Sequence, residues 1–222
     1  MLDSEAHLQI EAGTVVDVLT HARRDLERIQ EETRKAASYL AVSRAVFRVP
    51  KFASRWVESD CQWAMDYTRK GTHMAFAVTL AATYDEKSNN GIVSIPNLIK
   101  KFGNHAFRDA ISVDRRISPE KVNTEAQKAL EKFKRIKALP IYVSLKHLRH
   151  NVIAHHNREI DHHGATQGAL NRLMVATLAL VDRMAISMNG EPTDTCRLIY
   201  IVRQTATDFW EYGIDGKPEV DE

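Results

Sequence analysis

Histidine residues are concentrated in one part of the 222-residue chain. Six of the ten histidines fall within a 17-residue window, at His147, His150, His155, His156, His162 and His163. Because imidazole titrates near neutral pH, such side chains donate protons, accept protons or bind metal ions. The cluster therefore indicates a site for acid–base chemistry or a site for a metal ion.

The spacing of these histidines does not favour a metal site. His147 and His150 are three residues apart, which suits two ligands on one helical face. The other four form two adjacent pairs, whose members point in different directions on a helix, and no acidic residue lies between them at a useful helical spacing. We therefore expect no metal and no other cofactor, with His162 and His163 as exposed loop residues. A metal-binding helical protein is the less favoured alternative.

Acid–base chemistry centres instead on Arg149 and His155. The two residues are six positions apart, roughly 240° around a helix that turns about 100° per residue. A straight helix does not place both on one face; they converge if the helix ends or bends between them, or if a second subunit completes the site. Asn151 and His155 are four positions apart and share a face. The alternative is the end of an amphipathic helix with solvated charges.

Hydrophobic periodicity predicts the helices that must position this motif. Apolar residues from Val15 to Phe47 recur at steps of three, four or seven, which predicts a helix of about thirty residues that Pro50 ends. A second long helix is predicted over residues 55–85. Two shorter helices are predicted after the N-cap serines Ser94 and Ser118, over residues 96–102 and 118–139. Two more are predicted over residues 142–155 and 165–189. The run 198–202 fits either a helix or a strand.

The composition agrees with a helical protein and excludes several classes. Glycine (9) and proline (6) are scarce, which favours long helices over a fold with many turns. The two cysteines, Cys61 and Cys196, exclude a disulfide scaffold and indicate a reducing compartment. No apolar run is long enough for a signal peptide or a membrane span. We therefore predict a cytoplasmic protein with one all-α domain of six or seven helices over residues 1–212 and a flexible tail over residues 213–222.

A basic segment precedes the histidine cluster. Residues 100–137 hold eleven Lys or Arg and five Asp or Glu, a local charge of +6, whereas the whole chain has a formal net charge of +2. Such a segment attracts a phosphate backbone, and we predict RNA contacts from Arg115, Arg116 and Lys146. The alternative is a solvated helix surface. Three tryptophans are expected in the core or at a dimer interface rather than at a base-stacking platform: Trp56, Trp63 and Trp210.

Two sequence segments resemble a known family. The segment LRHNVIAHHN, with Arg149 and His155 separated by five residues, resembles the Arg-x4–6-His signature of the HEPN superfamily. The segment SIPNLIKKF, which follows a long helix ending in AATYD, is similar to the abortive-infection (AbiU-like) branch of that superfamily. The resemblance covers roughly residues 53–184. Family members usually carry Asn or Asp directly after the arginine; here His150 takes that position and Asn151 follows it.

The resemblance implies a HEPN-like helical bundle that forms a homodimer, in which two Arg/His motifs face each other across a cleft. Many such proteins are metal-independent endoribonucleases of toxin–antitoxin or phage-defence systems. By this resemblance the partners are RNA, a second copy of the chain and an antitoxin protein, without a membrane. The alternative is a catalytically silent helical module of the same fold that binds a nucleotide or a protein partner.

The chemistry of RNA cleavage suits the residues of the motif. His155 is expected to act as general acid and base, and Arg149 to hold phosphate oxygens with its planar fork. Asn151 would orient His155 or the phosphate. His150 would serve as a second proton carrier, and its alternative is an exposed helix residue.

Overall fold

The computed structural model describes residues 12–48, 62–86, 93–145, 167–193, 197, 199–204 and 206–208. The regular structure in these ranges is helical and contains no strand, which confirms the predicted all-α class. The helices are α1 (Ala12–Arg48), α2 (Gln62–Thr83), α3 (Ile95–Phe102), α4 (His105–Arg115), α5 (Pro119–Lys137), α6 (140–145), α7 (Gln167–Asn189) and α8 (199–204 with 206–208). None of the described helices is long and apolar enough to cross a membrane.

Helix α1 is the predicted long amphipathic helix. Its buried stripe includes Leu19, Leu26 and Ile29, each at most 2% exposed, as the apolar periodicity predicts. The opposite side carries exposed charges such as Glu27 and Glu31. The helix packs along α2 and also contacts α3, α4 and α7. Residue 50, predicted to end the helix, lies outside the described residues.

Helix α2 is buried along its second half and exposed at its start. Phe76 and Leu80 are fully buried, as predicted for the apolar stretch before residue 82. Trp63 and Tyr67 are 69% and 71% exposed and stack edge to face, with ring centroids 5.9 Å apart. Of the two predicted positions for Trp63, the core of the protomer is therefore excluded, and a dimer interface stays a prediction. The predictions for Trp56 and Trp210 concern residues outside the described ranges.

Side-chain caps define the starts of the middle helices. Ser118 precedes α5 and its Oγ accepts a hydrogen bond from the Lys121 amide at 3.3 Å, as expected of an N-cap. Ser94 precedes α3 as predicted, but its side chain makes no capping bond. Helix α4 has no counterpart among the predicted helices. It begins after Asn104, whose Oδ1 accepts from the Ala106 amide at 2.8 Å.

Helices α5 and α7 form an antiparallel pair. Three contacts define the direction: Lys121 Nζ donates to the Gly190 carbonyl at 2.8 Å, Ser187 Oγ to the Val122 carbonyl at 3.1 Å, and Arg183 to Glu125 at 2.7 Å. As α5 advances, its partners move backwards along α7. The stripe predicted for α7 is buried throughout: Leu170, Leu173, Met174, Thr177, Val181 and Met184.

The end of α7 and the start of α8 also bear on the predictions. Gly190 ends α7 with a left-handed φ of 82°, as the Asn189-Gly190 pair predicts. Residues 199–202 are helical, so the strand alternative for this run is wrong over these positions. The division into one domain and a tail from residue 213 stays a prediction, and the tail lies outside the described residues.

Glu125 lies at the centre of an ion-pair network between α5 and α7. Burial disfavours its charged form, but hydrogen bonds from Lys128 and Arg183, both at 2.7 Å, outweigh burial and lower the pKa of Glu125 below its ordinary value of 4.5. Because the pKa is lower in the folded protein, the carboxylate stabilises the fold fully above pH 4.5 and progressively less as the pH falls through the folded-state value.

We predict that Glu125→Gln lowers the free energy of unfolding at pH 7 and flattens its decline in acid. The change removes the charged partner of Arg183 and the only titrating group of this network in the acid range. Urea unfolding of the parent and the variant between pH 3 and pH 7 measures both effects. If the unfolding free energies of parent and variant differed by the same amount at every pH, Glu125 would not be the group whose lowered pKa makes stability depend on pH.

Candidate functional site

The residues of the predicted catalytic motif lie outside the described part of the chain. This applies to Arg149, His150, Asn151 and His155, and to the predicted RNA contact Lys146. The six clustered histidines also lie there. Within the described ranges, no group of three or more His, Cys, Asp or Glu side chains is placed to hold a metal ion. The roles assigned to the motif therefore stay predictions. The described residues show how the segment just before the motif is held in the fold.

Helix α6 is the described segment that enters the motif. Three of its residues are buried: Ile141 is 6% exposed, Tyr142 3% and Leu145 1%. Leu145 precedes Arg149 by four positions. The chain is therefore held in the protein core four residues before the predicted phosphate-binding arginine.

Tyr142 attaches α6 to the end of α2. Its ring stacks edge to face on Tyr84, with centroids 5.3 Å apart, and its hydroxyl donates to Glu86 Oε1 at 3.1 Å. Lys137, at the end of α5, lies 3.5 Å from the same carboxylate oxygen. Burial, followed by the nearby charge of Glu86, raises the pKa of Tyr142. The phenol is thus a neutral hydrogen-bond donor around neutral pH.

Tyr84 connects this arrangement to α7. It is 1% exposed, and its hydroxyl lies 2.6 Å from Thr177 Oγ1. Thr177 donates its own proton to the Leu173 carbonyl at 2.8 Å, so Tyr84 is the donor in the bond between the two hydroxyls. Burial raises the pKa of Tyr84, and the bond to Thr177 opposes this only in part. We call Tyr84, Glu86, Tyr142 and Thr177 the tyrosine anchor.

The structure divides the basic residues of 100–137 into paired and unpaired side chains. Five have partners: Lys101 with Asp25, Arg115 with Asp114, Lys121 with the Gly190 carbonyl, Lys128 with Glu125, and Lys137 with Glu86. Six side chains have no partner among the described residues: Lys100, Arg108, Arg116, Lys132, Lys134 and Arg135. Arg108 is buried, whereas the other five are surface cations, and a surface cation without a local carboxylate is available to a phosphate group.

Two of the predicted RNA contacts, Arg115 and Arg116, lie at the opposite end of α5 from the tyrosine anchor. Arg115 ends α4 and Arg116 follows in a left-handed conformation, φ 53°, just before α5 begins. Helix α5 has 19 residues, a length of about 28 Å at 1.5 Å per residue. Lys134 and Arg135 lie in its last turn, next to the tyrosine anchor that Lys137 contacts. The sequence analysis places Lys134 and Arg135 in the basic segment but does not predict them as RNA contacts.

Comparison with known proteins assigns the chain to a family. The family model named HEPN_AbiU2, described as AbiU2, matches residues 18–209. The matched region includes α2 to α7, most of α1 and the LRHNVIAHHN segment. Neither the curated proteins nor the solved structures yielded a match. The chain therefore belongs to the AbiU2 family of abortive-infection-associated HEPN domains.

Proposed function

We propose that this protein is a metal-independent endoribonuclease of an abortive-infection or toxin–antitoxin system. The observation that carries the proposal is the Arg149-x5-His155 motif, which lies inside the region matched by the AbiU2 family model. RNA cleavage requires proton removal from a 2′-hydroxyl, stabilisation of charge on phosphorus and proton delivery to the leaving 5′-oxygen. Imidazole groups can carry the two protons, and a guanidinium can stabilise the charge on phosphorus.

The residues of the motif divide proton transfer, phosphate binding and orientation between them in the proposed reaction. His155 takes the proton from the 2′-hydroxyl or gives one to the 5′-oxygen, and Arg149 holds two phosphate oxygens as negative charge develops. Asn151 orients His155 or the phosphate. His150 is the second proton carrier, so that one imidazole acts as base and the other as acid.

The tyrosine anchor, which holds the segment just before the motif, supports this proposal. Catalysis depends on positioning reactive groups to within a fraction of an ångström, which requires rigid elements around them. Tyr142 and Leu145 are buried in the segment that enters the motif, and Tyr142 is attached to α2 through Tyr84 and Glu86. This part of the chain is therefore suited to carry a catalytic group.

RNA digestion in the presence of EDTA tests the proposed function. The purified protein, free of any antitoxin, should cleave RNA at an undiminished rate with the chelator present. It should leave 2′,3′-cyclic phosphate ends, because the RNA's own 2′-hydroxyl attacks. Absence of cleavage would transfer the function to the alternative, a silent helical module that binds a nucleotide or protein. Cleavage that EDTA abolishes would refute metal independence.

We further propose that the protein acts as a homodimer through the start of α2. On α7, Leu178 is buried in the protomer, and Val175, 62% exposed, lines a groove with α1 and α8. Trp63 and Tyr67 present a larger apolar surface. A second copy that covers these rings would remove them from water, which favours association.

Sedimentation measures this dimer prediction. The parent should sediment as a dimer at micromolar concentration in analytical ultracentrifugation, and Trp63→Ser with Tyr67→Ser should shift it to a monomer with unchanged helical content. Val16→Ser is a matched control, because Val16 is an apolar residue of α1 with 60% exposure. A monomeric parent would contradict the dimer, and a dimeric double variant would contradict this interface.

We predict that Lys134→Ala with Arg135→Ala weakens RNA binding more than Arg115→Ala with Arg116→Ala. Both double variants remove two positive charges, but only the first removes them beside the segment that enters the motif. Loss of two phosphate contacts should reduce the slope of log affinity against log salt by about 1.4, at roughly 0.7 per contact on a single strand. Fluorescence anisotropy with an uncleavable 2′-O-methyl RNA measures the slopes. Equal effects of the two double variants would contradict the prediction.

A further inference from the structure

A buried arginine on α4 lacks the partner that its charge requires. Arg108 is 7% exposed, and its Nε is fully enclosed without a hydrogen-bond partner. No carboxylate among the described residues pairs with it. Two less buried arginines differ from it in having an anionic partner. Arg23, whose Nε is likewise enclosed without a hydrogen bond, donates from a terminal nitrogen to Asp114, and Arg183 donates to Glu125. The most enclosed of these three guanidinium groups is the one without an anion.

This arrangement is unfavourable for the protein alone. A guanidinium cannot lose its charge under physiological conditions, and burying a charge is costly unless an opposite charge or hydrogen bonds compensate. Arg108 lies between Phe107 and Ile111, on the side of α4 that faces the core, where a Met or Leu would pack without that cost. The position therefore indicates that an anion supplies the missing partner.

The guanidinium remains accessible to an incoming anion. Nε is the one nitrogen of Arg108 that is fully enclosed, so the two terminal nitrogens reach the surface through the residual exposed area. These nitrogens form the planar fork that matches two oxygens of a phosphate or carboxylate group. The buried side of the guanidinium fixes the orientation of that fork.

The surroundings favour phosphate over a carboxylate. Arg108 lies within the segment 100–137, whose charge is +6, and a doubly charged oxyanion gains more from such a field than a singly charged one. A carboxylate offers the same two-oxygen geometry with a single charge, so a doubly charged phosphate gains more from this field.

We propose that Arg108 forms the base of a phosphate-binding site on α4, separate in sequence from the Arg149/His155 motif. The favoured source is a free phosphate monoester, which carries the double charge. The singly charged phosphodiester of an RNA backbone presents the same two oxygens to the fork and is the other source that the experiments distinguish. The RNA source rests on the proposed function, whereas the phosphate site itself does not. Arg108 binds and positions the phosphate and takes no part in proton transfer.

Thermal unfolding of the full chain with inorganic phosphate tests the site. A ligand that binds only the folded state raises the unfolding temperature in a saturable manner. The parent should show such a rise relative to sodium chloride at equal ionic strength, and acetate should produce none. Arg108→Met should be more stable than the parent without phosphate, because it removes an uncompensated buried charge, and should not respond to phosphate. Arg172→Met, at an exposed arginine of α7, is the matched control and should respond as the parent does.

Two further measurements keep the proposal falsifiable if Arg108→Met does not fold. The ³¹P resonance of phosphate should broaden with the parent and less with Arg108→Lys, since an ammonium group cannot make the two-pronged contact. Binding of uncleavable 2′-O-methyl RNA then identifies the source. A salt slope that falls by about 0.7 in Arg108→Gln, which removes the positive charge, indicates an RNA phosphate, and an unchanged slope indicates a free phosphate ester.

Three results would contradict the proposed phosphate site at Arg108. These are a parent that responds to phosphate no more than to chloride, an equal response in Arg108→Met, or equal ³¹P broadening in Arg108→Lys. The proposed nuclease fails on a different result, namely RNA cleavage that does not depend on Arg149 and His155. The two proposals can therefore fail independently.

Discussion

Replacement of His155 by alanine is expected to abolish RNA cleavage. Loss of a positioned general acid or base costs at least about a hundredfold in rate. The imidazole changes charge near pH 6.5, so no neighbouring side chain other than another histidine replaces it at neutral pH. Single-turnover cleavage of a labelled RNA, with helical content checked by circular dichroism, separates loss of chemistry from loss of fold.

Arg149 should be comparably sensitive, for a different reason. Arg149→Ala removes the donor that stabilises negative charge developing on phosphorus, a contribution that also reaches about a hundredfold or more for a single donor. Arg149→Lys should restore little of the rate, since a point charge cannot bind two oxygens in a fixed geometry. Substantial rescue by lysine would indicate that Arg149 acts through its charge alone.

The histidines that follow the motif provide the internal control. His162→Ala and His163→Ala should leave the cleavage rate nearly unchanged, because these residues are predicted loop positions outside the Arg149/His155 pair. A large loss in either variant, together with sensitivity to EDTA, would favour the metal alternative. Cleavage at the parent rate by a variant that lacks both Arg149 and His155 would end the nuclease assignment.

Much of the helical fold could be predicted because the long helices carry one continuous apolar stripe. In α7 the residues from Leu170 to Met184 recur at helical spacing and are buried, and Asn189-Gly190 gives a local stop signal. Helix α4 was missed for the opposite reason. It is eleven residues long, its apolar face rests on few positions such as Phe107 and Ile111, and Asn104 alone marks its start.

Features that depend on packing between helices could not be predicted. Periodicity assigns a charged residue to the surface, yet Arg108 is buried and Trp63 is exposed, since burial depends on what the neighbouring helices cover. The proposed catalytic motif is local in sequence and can therefore be recognised. The direction of α5 decides which basic residues lie near the segment that leads into the motif. The end of α5, with Lys134, lies beside the tyrosine anchor, and Arg115 lies at the opposite end.

The tyrosine anchor is expected to dominate stability around the entrance to the motif. Tyr84→Ala should lower the free energy of unfolding by about 3–5 kcal/mol, the range for removing a buried aromatic ring. Tyr84 is 1% exposed and packs on Tyr142, so the cavity would open beneath α6. A loss of this size is a large part of the roughly 5–15 kcal/mol that stabilises a typical domain. Urea unfolding at 25 °C measures it.

Conservative substitutions of Tyr84 and Thr177 separate the contribution of their hydrogen bond from that of ring packing. Thr177→Val leaves the Tyr84 hydroxyl as a buried donor without an acceptor, which costs about 1–3 kcal/mol. Tyr84→Phe should cost less, about 0.5–1.5 kcal/mol, because Thr177 keeps its bond to the Leu173 carbonyl. The double variant should be close to Tyr84→Phe alone, since it leaves no unpaired donor.

Strictly additive losses in this cycle would contradict the direct bond between the two hydroxyls. The double variant also isolates the role of the anchor in catalysis, since it keeps both rings and the packing of Tyr84 on Tyr142 while lacking the bond to α7. If that bond positions the motif, the folded double variant should cleave RNA more slowly than the parent at equal helical content. An unchanged rate would restrict the bond between Tyr84 and Thr177 to a role in stability, because the ring contact alone would then hold α6 in place.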